Sequence, residues 1–521
     1  MTADWIALDH AATTPLAPGV FEAMRPWLDN AVGNPASDHR AGRAARAAVE
    51  AARAAVAGLV GAPADSLIWT SGATESINLA IKGALEFDGR APAHVISSRI
   101  EHRATLDTLR WVAGQGHKVS LLSPDARGAI SIEAVLAALT PTTRLVSLMW
   151  VNNELGTCTD MPALAAALRA RGVLLHVDAA QAAGWLPIDL ETMPIDLLSL
   201  SAHKLGGPKG IGALYVCRRP RVRLSPLLHG GGQEQGMRSG TLATHQIVGF
   251  GAAATRRMAQ REALAADVTR LRDQLAAQLQ AGIPSLLRNS PVSGSPHILN
   301  VSVPGVDGES LRASLPDLLF SSGSACSSAT REPSFVLRAL GHDDPLADAS
   351  LRLSLGEGSC DAEVQAGAAQ IVAAAARLRD FAAGTPPAAV TGLDNPYGYS
   401  PAVWQRFCAA DAVGMLAGEG VREARAISRG DGAWLSVSVQ LTQGRVAAAR
   451  YRGVGCPVTL AAGQWFAEQI TGADVSTLQR PWLLDVRNAL EIAPEKSHCA
   501  VMVDDLARAL WSTPPRMEFL R

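Results

Sequence analysis

No sign of charge predominates in this 521-residue chain. Its 47 Lys and Arg stand against 48 Asp and Glu, a formal net charge of -1, and the two signs are mixed along the sequence. That balance excludes a broad basic face for nucleic acid or for an anionic membrane. Long apolar runs are missing too: no uninterrupted stretch approaches the roughly 18 residues of a spanning helix. The opening MTADWIALDH carries acidic residues and lacks an apolar core followed by a small-residue cleavage site. The chain therefore reads as soluble, unexported and cytoplasmic. Cysteine is sparse, with seven residues widely spaced and never in a Cys-x-x-Cys pattern, which argues against a disulfide scaffold and for reduced thiols. Lysine is scarcest in proportion: only Lys82, Lys118, Lys204, Lys209 and Lys496 are found among the 47 basic residues. Chemistry that needs a lysine amine has few places to reside.

Hydrophobic residues, by contrast, make up 48% of the chain, enough for more than one core. From Ser66 to Cys217 short β-rich runs (SLIWTS, HVISS, LVSLMWV, VLLHVDAA, DLLSLSA, IGALYV) alternate with longer segments of helical period. The rhythm predicts a mostly parallel sheet with crossover helices. Arg40 to Val60 reads as an Ala-rich helix, and Ala252 to Ala281 as a long helix leading into a smaller domain. Gly384 to Pro396, GTPPAAVTGLDNP, has three prolines, two glycines and no helical period, and so reads as a linker. Beyond it, Ala433 to Gln440 and Arg445 to Arg452 are expected as strands, and Leu460 to Ile470 and Val501 to Trp511 as helices.

Strands of a parallel sheet end at one edge, where ligands bind. One strand is followed by Ser71-Gly72-Ala73-Thr74-Glu75, a glycine turn into a helix that would leave backbone N–H groups free for an anion. Others end on Asn152, Asn153 and Glu154, on Asp178 with Gln181 a turn later, and on Ser201, His203 and Lys204. Taken singly, Asp178 would be a helix cap and Lys204 a solvated side chain. Their joint order matches what pyridoxal phosphate requires: an amine for a Schiff base, a carboxylate on the pyridinium nitrogen, and an anion site.

The segments LDHAATTP, GNPASDH, TSGATES, EHRATLDT, VNNELG, HVDAAQ, SAHKLGGPKG, GGGQEQGMRSGT and SSGSACSSATREPS, in that order from about Leu8 to Gly356, resemble the NifS/IscS-like cysteine desulfurases of the class V aminotransferase family. The resemblance implies an α/β fold, fold type I of the pyridoxal-phosphate enzymes. It comprises a large mostly parallel-sheet domain, about residues 15–260, and a small α/β domain of residues 1–14 and 261–384. It further implies Lys204 as the Schiff-base lysine, Asp178 at the pyridinium nitrogen, and His102 stacked on the ring as an acid/base group. Asn153 and Gln181 would touch the ring. Ala73, Thr74, Ser201 and His203 would hold the phosphate, with Thr241 contributed by the partner of a homodimer. Asn34 and Arg352 would grip the carboxylate of the L-cysteine substrate. Cys326, in a loop of small residues, would be the nucleophile that takes the sulfur as a persulfide, giving L-alanine. A transaminase needs no such thiol; a selenocysteine lyase or a sulfinate-active relative is the rival enzyme reading.

Residues 397–521, after a linker at 385–396, resemble the IscU/NifU type of iron-sulfur scaffold, an α+β domain, through RGDGAWLSVSV, YRGVGCPVTLAAGQWFAE and PEKSHCAVMVDDLARAL. The resemblance implies Asp431, Cys456, His498 and Cys499 as ligands for an iron-sulfur cluster or zinc. Arg429 stands where the third scaffold cysteine would be, and an arginine cannot ligate a metal. The domain would then be a metal site, a sulfur acceptor through Cys499, or a regulatory module. A salt bridge from Arg429 to Asp431 is one expectation for the changed position. Sulfur acceptor proteins are the expected partners.

Overall fold

The computed structural model describes residues 5–29, 32–87, 92–322, 332–395, 397–428 and 431–513. Seven strands form the principal sheet, in spatial order Leu67–Thr70, Gly212–Val216, Leu197–Ser201, Leu174–Asp178, Thr143–Met149, His94–Ser98 and Lys118–Leu122. The last five run parallel and Gly212–Val216 is antiparallel to both its neighbours. The central strands are buried on both faces, which is why they read as continuous apolar runs. Lys118–Leu122 went unread in the sequence because it is an edge strand, half exposed, with only a short alternating pattern.

A 39-residue helix, Thr244–Gly282, runs from this layer into a second lobe. There Ile298–Ser302 pairs antiparallel with Ser350–Ser354 and with Leu287–Arg288, and Ile6–Ala7 pairs with Leu318–Leu319. The helix Asp361–Ala383 covers this lobe and ends on Gly384, whose φ of 75° favours glycine. In the C-terminal region Val421–Ile427, Trp434–Thr442 and Arg445–Val454 make an antiparallel sheet. Helices Pro401–Ala409, Pro457–Ile470 and Ser497–Ser512 accompany it.

The segment expected as a linker is packed against the helix that follows it. Residues 385–395 form no helix or strand, yet Val390 N donates to Cys408 O and Trp404 Nε1 donates to Leu393 O, which lays the segment on the helix Pro401–Ala409. One continuous core runs from Leu8, Leu353 and Ile371 of the second lobe to Phe407, Tyr451 and Phe466 of the C-terminal region. At the junction the Phe381 and Phe407 rings lie nearly parallel at 6.2 Å, and the Arg377 guanidinium stands over both. That guanidinium also donates to the Phe407 and Cys408 carbonyls. Burying these rings excludes water from the joint, so the C-terminal region is docked on the second lobe rather than carried at the end of a tether.

Candidate active site

A cavity of about 560 Å³ opens at the edge where the parallel strands end, a size suited to a small organic ligand. Lys204 enters it from the short turn Ala202–Lys204, which follows the strand Leu197–Ser201. Its Nζ donates to the Ala11 and Ala12 carbonyls at 2.5 and 2.8 Å. Asp178, last residue of its strand, accepts from Ala180 N at 3.0 Å. Burial pushes its carboxyl up from the usual range, against the pull of nearby His102 and Lys204. A cationic group in the cavity would therefore be welcome beside it.

The helix Ala73–Glu86 points its N-terminus at the same space. Its N-cap is Gly72, at φ 152°, and no side chain caps it, so the first N–H groups are available to an anion. A Cβ on Gly212 of the neighbouring strand would meet the Gly72 backbone at 2.6 Å, so this turn depends on small residues to pass. Glu75 on the first turn is drawn upward by burial, but the Arg238 guanidinium at 2.9 Å and the Ser71 N–H hold its carboxyl below the ordinary range. His203 donates to or accepts from Thr13 Oγ1 at 3.1 Å; burial, with Lys204 and Lys209 nearby, pushes it down to about 4, so it is neutral at pH 7.

Of the expected residues, Ala73, Thr74, His102, Asn153, Asp178, Gln181, Ser201, His203, Lys204 and Arg352 all line this cavity. Arg352 is held by Asp9 Oδ1 and Ser321 Oγ, each at 2.9 Å, and donates to Asn153 O. Its Nε is buried without a partner. Asn34 is exposed, accepts from Ala36 N and does not line the cavity. Thr241 is also exposed and away from it. Cys326 and Arg429 lie outside the described residues.

The donor set fits pyridoxal phosphate: an amine, an opposed carboxylate, an uncapped helix N-terminus and an imidazole converge on one space. Residues 6–366 match the family described as aminotransferase class V. The chain belongs to that family. Over 379 residues it is 50% identical to "Cysteine desulfurase IscS" of Methylococcus capsulatus, a match covering 72% of this chain and 94% of that one. Among solved structures, a NifS-like protein superposes with a TM-score of 0.66 at 33% identity, covering 71% of this chain and 98% of the other. A structure titled "SspA in complex with cysteine" gives 0.61 at 37% identity, covering 67% and 98%. Residues 398–513 match the NifU-like N-terminal domain.

In that second family region the four expected ligands form a chain of contacts. Cys456 Sγ lies 3.8 Å from Cys499 Sγ, His498 Nε2 is 3.3 Å from Cys499 Sγ, and the same Nε2 is 3.1 Å from Asp431 Oδ2. Among the described residues no group of three or more His, Cys, Asp or Glu is arranged to hold a metal ion. Asp431 faces His498 in an ion-pair geometry. Donation from Cys499, with Lys496 nearby, draws the Cys456 thiol down to about 6, while the Cys499 proton is held more tightly in return.

Both thiols are buried, and the second lobe helps to bury them. Ser310 Oγ, on the helix Gly308–Ala313, donates to Gly455 O at 2.8 Å. Glu309 of that helix accepts from Lys496 Nζ and from Tyr399 OH, each at 2.6 Å. Asp307, its N-cap, is pushed up to about 7 by burial and by the neighbouring Cys456. Sequence reasoning missed these partners because they lie 90 to 187 residues apart and nothing in the helix Gly308–Ala313 marks it as a partner of the C-terminal motifs.

Proposed function

We infer that this chain is a pyridoxal-phosphate-dependent cysteine desulfurase with a fused NifU-like scaffold domain. The observation that carries this is the convergence of Lys204, Asp178 and the open N-terminus of Ala73–Glu86 on one cavity, in a chain of this family. Lys204 would hold the cofactor, Asp178 would face its ring nitrogen, and the Ala73–Thr74 turn with Ser201 and His203 would take its phosphate. Bound cofactor supplies an electron sink. Arg352, tied by Asp9 and Ser321, presents a fixed guanidinium to the carboxylate of L-cysteine.

In this reading the Cys326 thiolate takes the sulfur of the substrate. The C–S bond breaks with its electron pair left on carbon, and His102 is placed to manage the proton that completes alanine. Thr241, exposed and away from the chain's own cavity, serves the other site of a homodimer. No helix among the described residues is long and apolar enough to cross a membrane, and we place the enzyme in the cytoplasm. We divide the chain at Gly384, with the docked NifU-like domain as a sulfur acceptor, through Cys499, once that buried thiol is uncovered.

Mass spectrometry of the reduced protein after brief exposure to L-cysteine tests this. One added sulfur on Cys326, with alanine released, is the expected result. Alanine formation with Cys326 unmodified, and undiminished in Cys326→Ala, would overturn the nucleophile assignment. Sulfur on Cys499 as well would establish the in-cis acceptor.

A further inference from the structure

Gln181 lines the cavity, and its amide is tied on both sides. Nε2 donates to Ala11 O at 2.8 Å, and Oε1 stands 3.0 Å from His297 Nε2. Ala11 O can only accept, so the NH₂ end must face it and the oxygen must face His297. His297 Nε2 therefore carries a proton and donates it. Its Nδ1 is then bare, and accepts from Ser295 Oγ at 2.7 Å. One direction of donation runs through the set: Ser295 to His297 to Gln181 to the same carbonyl that receives Lys204.

The ring that makes this link is fully enclosed. It stacks on Trp185 with centroids 4.4 Å apart and planes within 8°, and the Arg257 guanidinium lies 5.1 Å from the centroid of the same indole. Burial, reinforced by the charges of Arg257, Lys204, His10 and Arg352, holds His297 far below its ordinary range, so the imidazole is neutral. A neutral ring fixed at both nitrogens cannot rotate without losing two hydrogen bonds in a place water does not reach. His297 comes just before the strand Ile298–Ser302 of the second lobe, whereas Gln181 belongs to the large sheet layer. The link thus sets a residue of one lobe by a residue of the other.

We propose that His297 is a positioning residue for the desulfurase reaction: through its Nε2–H it locks the Gln181 amide with the remaining N–H turned toward the cofactor ring. This rests on the reading that Gln181 touches that ring. A fixed donor there stabilises negative charge on a ring oxygen and so lowers the pH at which the cofactor's visible band changes.

The test is a pH titration of the visible absorption of the holoenzyme, with kcat and KM for L-cysteine measured alongside. His297→Phe keeps the stack on Trp185 and removes the donor; its midpoint should rise by about one pH unit. His297→Gln retains an N–H and should recover most of the shift. Gln181→Leu should raise the midpoint comparably, and the double variant should add nothing to the larger single effect. A shift in Gln181→Leu with none in His297→Phe would overturn the relay while leaving the Gln181 contact intact. No shift in Gln181→Leu would overturn the contact itself. If His297→Phe does not fold, His297→Met, a flexible apolar side chain with no N–H, decides the matter: a raised midpoint supports the relay and an unchanged one overturns it.

Discussion

At the scale of single residues the cavity is a set of groups whose protonation is fixed by surroundings. Lys204 is the only one of the five lysines that sits at a strand end beside the Asp178 carboxylate. Lys204→Ala should abolish the visible cofactor band and lower cysteine turnover at least about a thousandfold, read as alanine formed per enzyme. Behind the site, Glu101 accepts from Ser98 Oγ and Met149 N, and burial with the Asp178 charge pushes it up to about 8. Glu154, against Ser334 Oγ at 2.5 Å, is pushed by burial to about 7. Both bind their protons more tightly folded than unfolded. The stability they give is complete below the ordinary glutamate value and is lost as pH rises through 7 and 8. Thermal melts between about pH 5 and 8.5 should therefore show Tm falling with pH, and Glu101→Gln should flatten that fall by several degrees at the alkaline end. An equally steep fall in the variant would mean that Glu101 is ionised in the folded protein.

At the scale of elements, a buried ion pair fastens the loop carrying Glu234 to the first strand of the sheet. Arg53, on the helix Arg40–Leu59, meets Glu234 with two bonds of 2.7 and 2.8 Å, and the same carboxylate accepts from Trp69 N. Glu234 has φ 48°, a left-handed conformation held by these contacts. Removing one partner leaves a charge in the interior, so Glu234→Ala should cost about 3–5 kcal/mol in denaturant unfolding. Replacing Arg53 and Glu234 together should cost less than the sum of the single losses. The helix Arg40–Leu59 was legible from its Ala-rich run almost to the residue, because one apolar face suffices to define it. The pairing with Glu234 was not, since nothing local in GGGQEQGMRSGT distinguishes a surface turn from one that reaches into a core.

For the whole molecule, the shared core makes the two family regions one cooperative object. Phe407 is fully buried between Phe381 and Arg377. Phe407→Ala should cost about 3–5 kcal/mol and shift a single calorimetric transition as a unit. Two separate transitions, with only the minor one moved, would show regions joined merely by chain. The same docking shields Cys456 and Cys499, so alkylation of the folded protein should reach exposed Cys360 while leaving the pair intact until Glu309 is replaced or the fold is loosened.

The sequence by itself determined the alternation of strands and helices, the ends on which Asp178 and Lys204 stand, and the family of each region, because periodicity and short motifs are local properties of the chain. It also marked Arg352, Gln181 and His203 as site residues, and the cavity contains them. Only the tertiary structure decided what holds those groups. The Ala11 and Ala12 carbonyls on Lys204, His297 on Gln181, Asp9 on Arg352 and Glu309 on Lys496 all come from segments remote in sequence. It also turned a proline-rich linker into a packed joint, since burying Phe407 and Tyr451 removes apolar surface from water wherever in the chain that surface happens to lie.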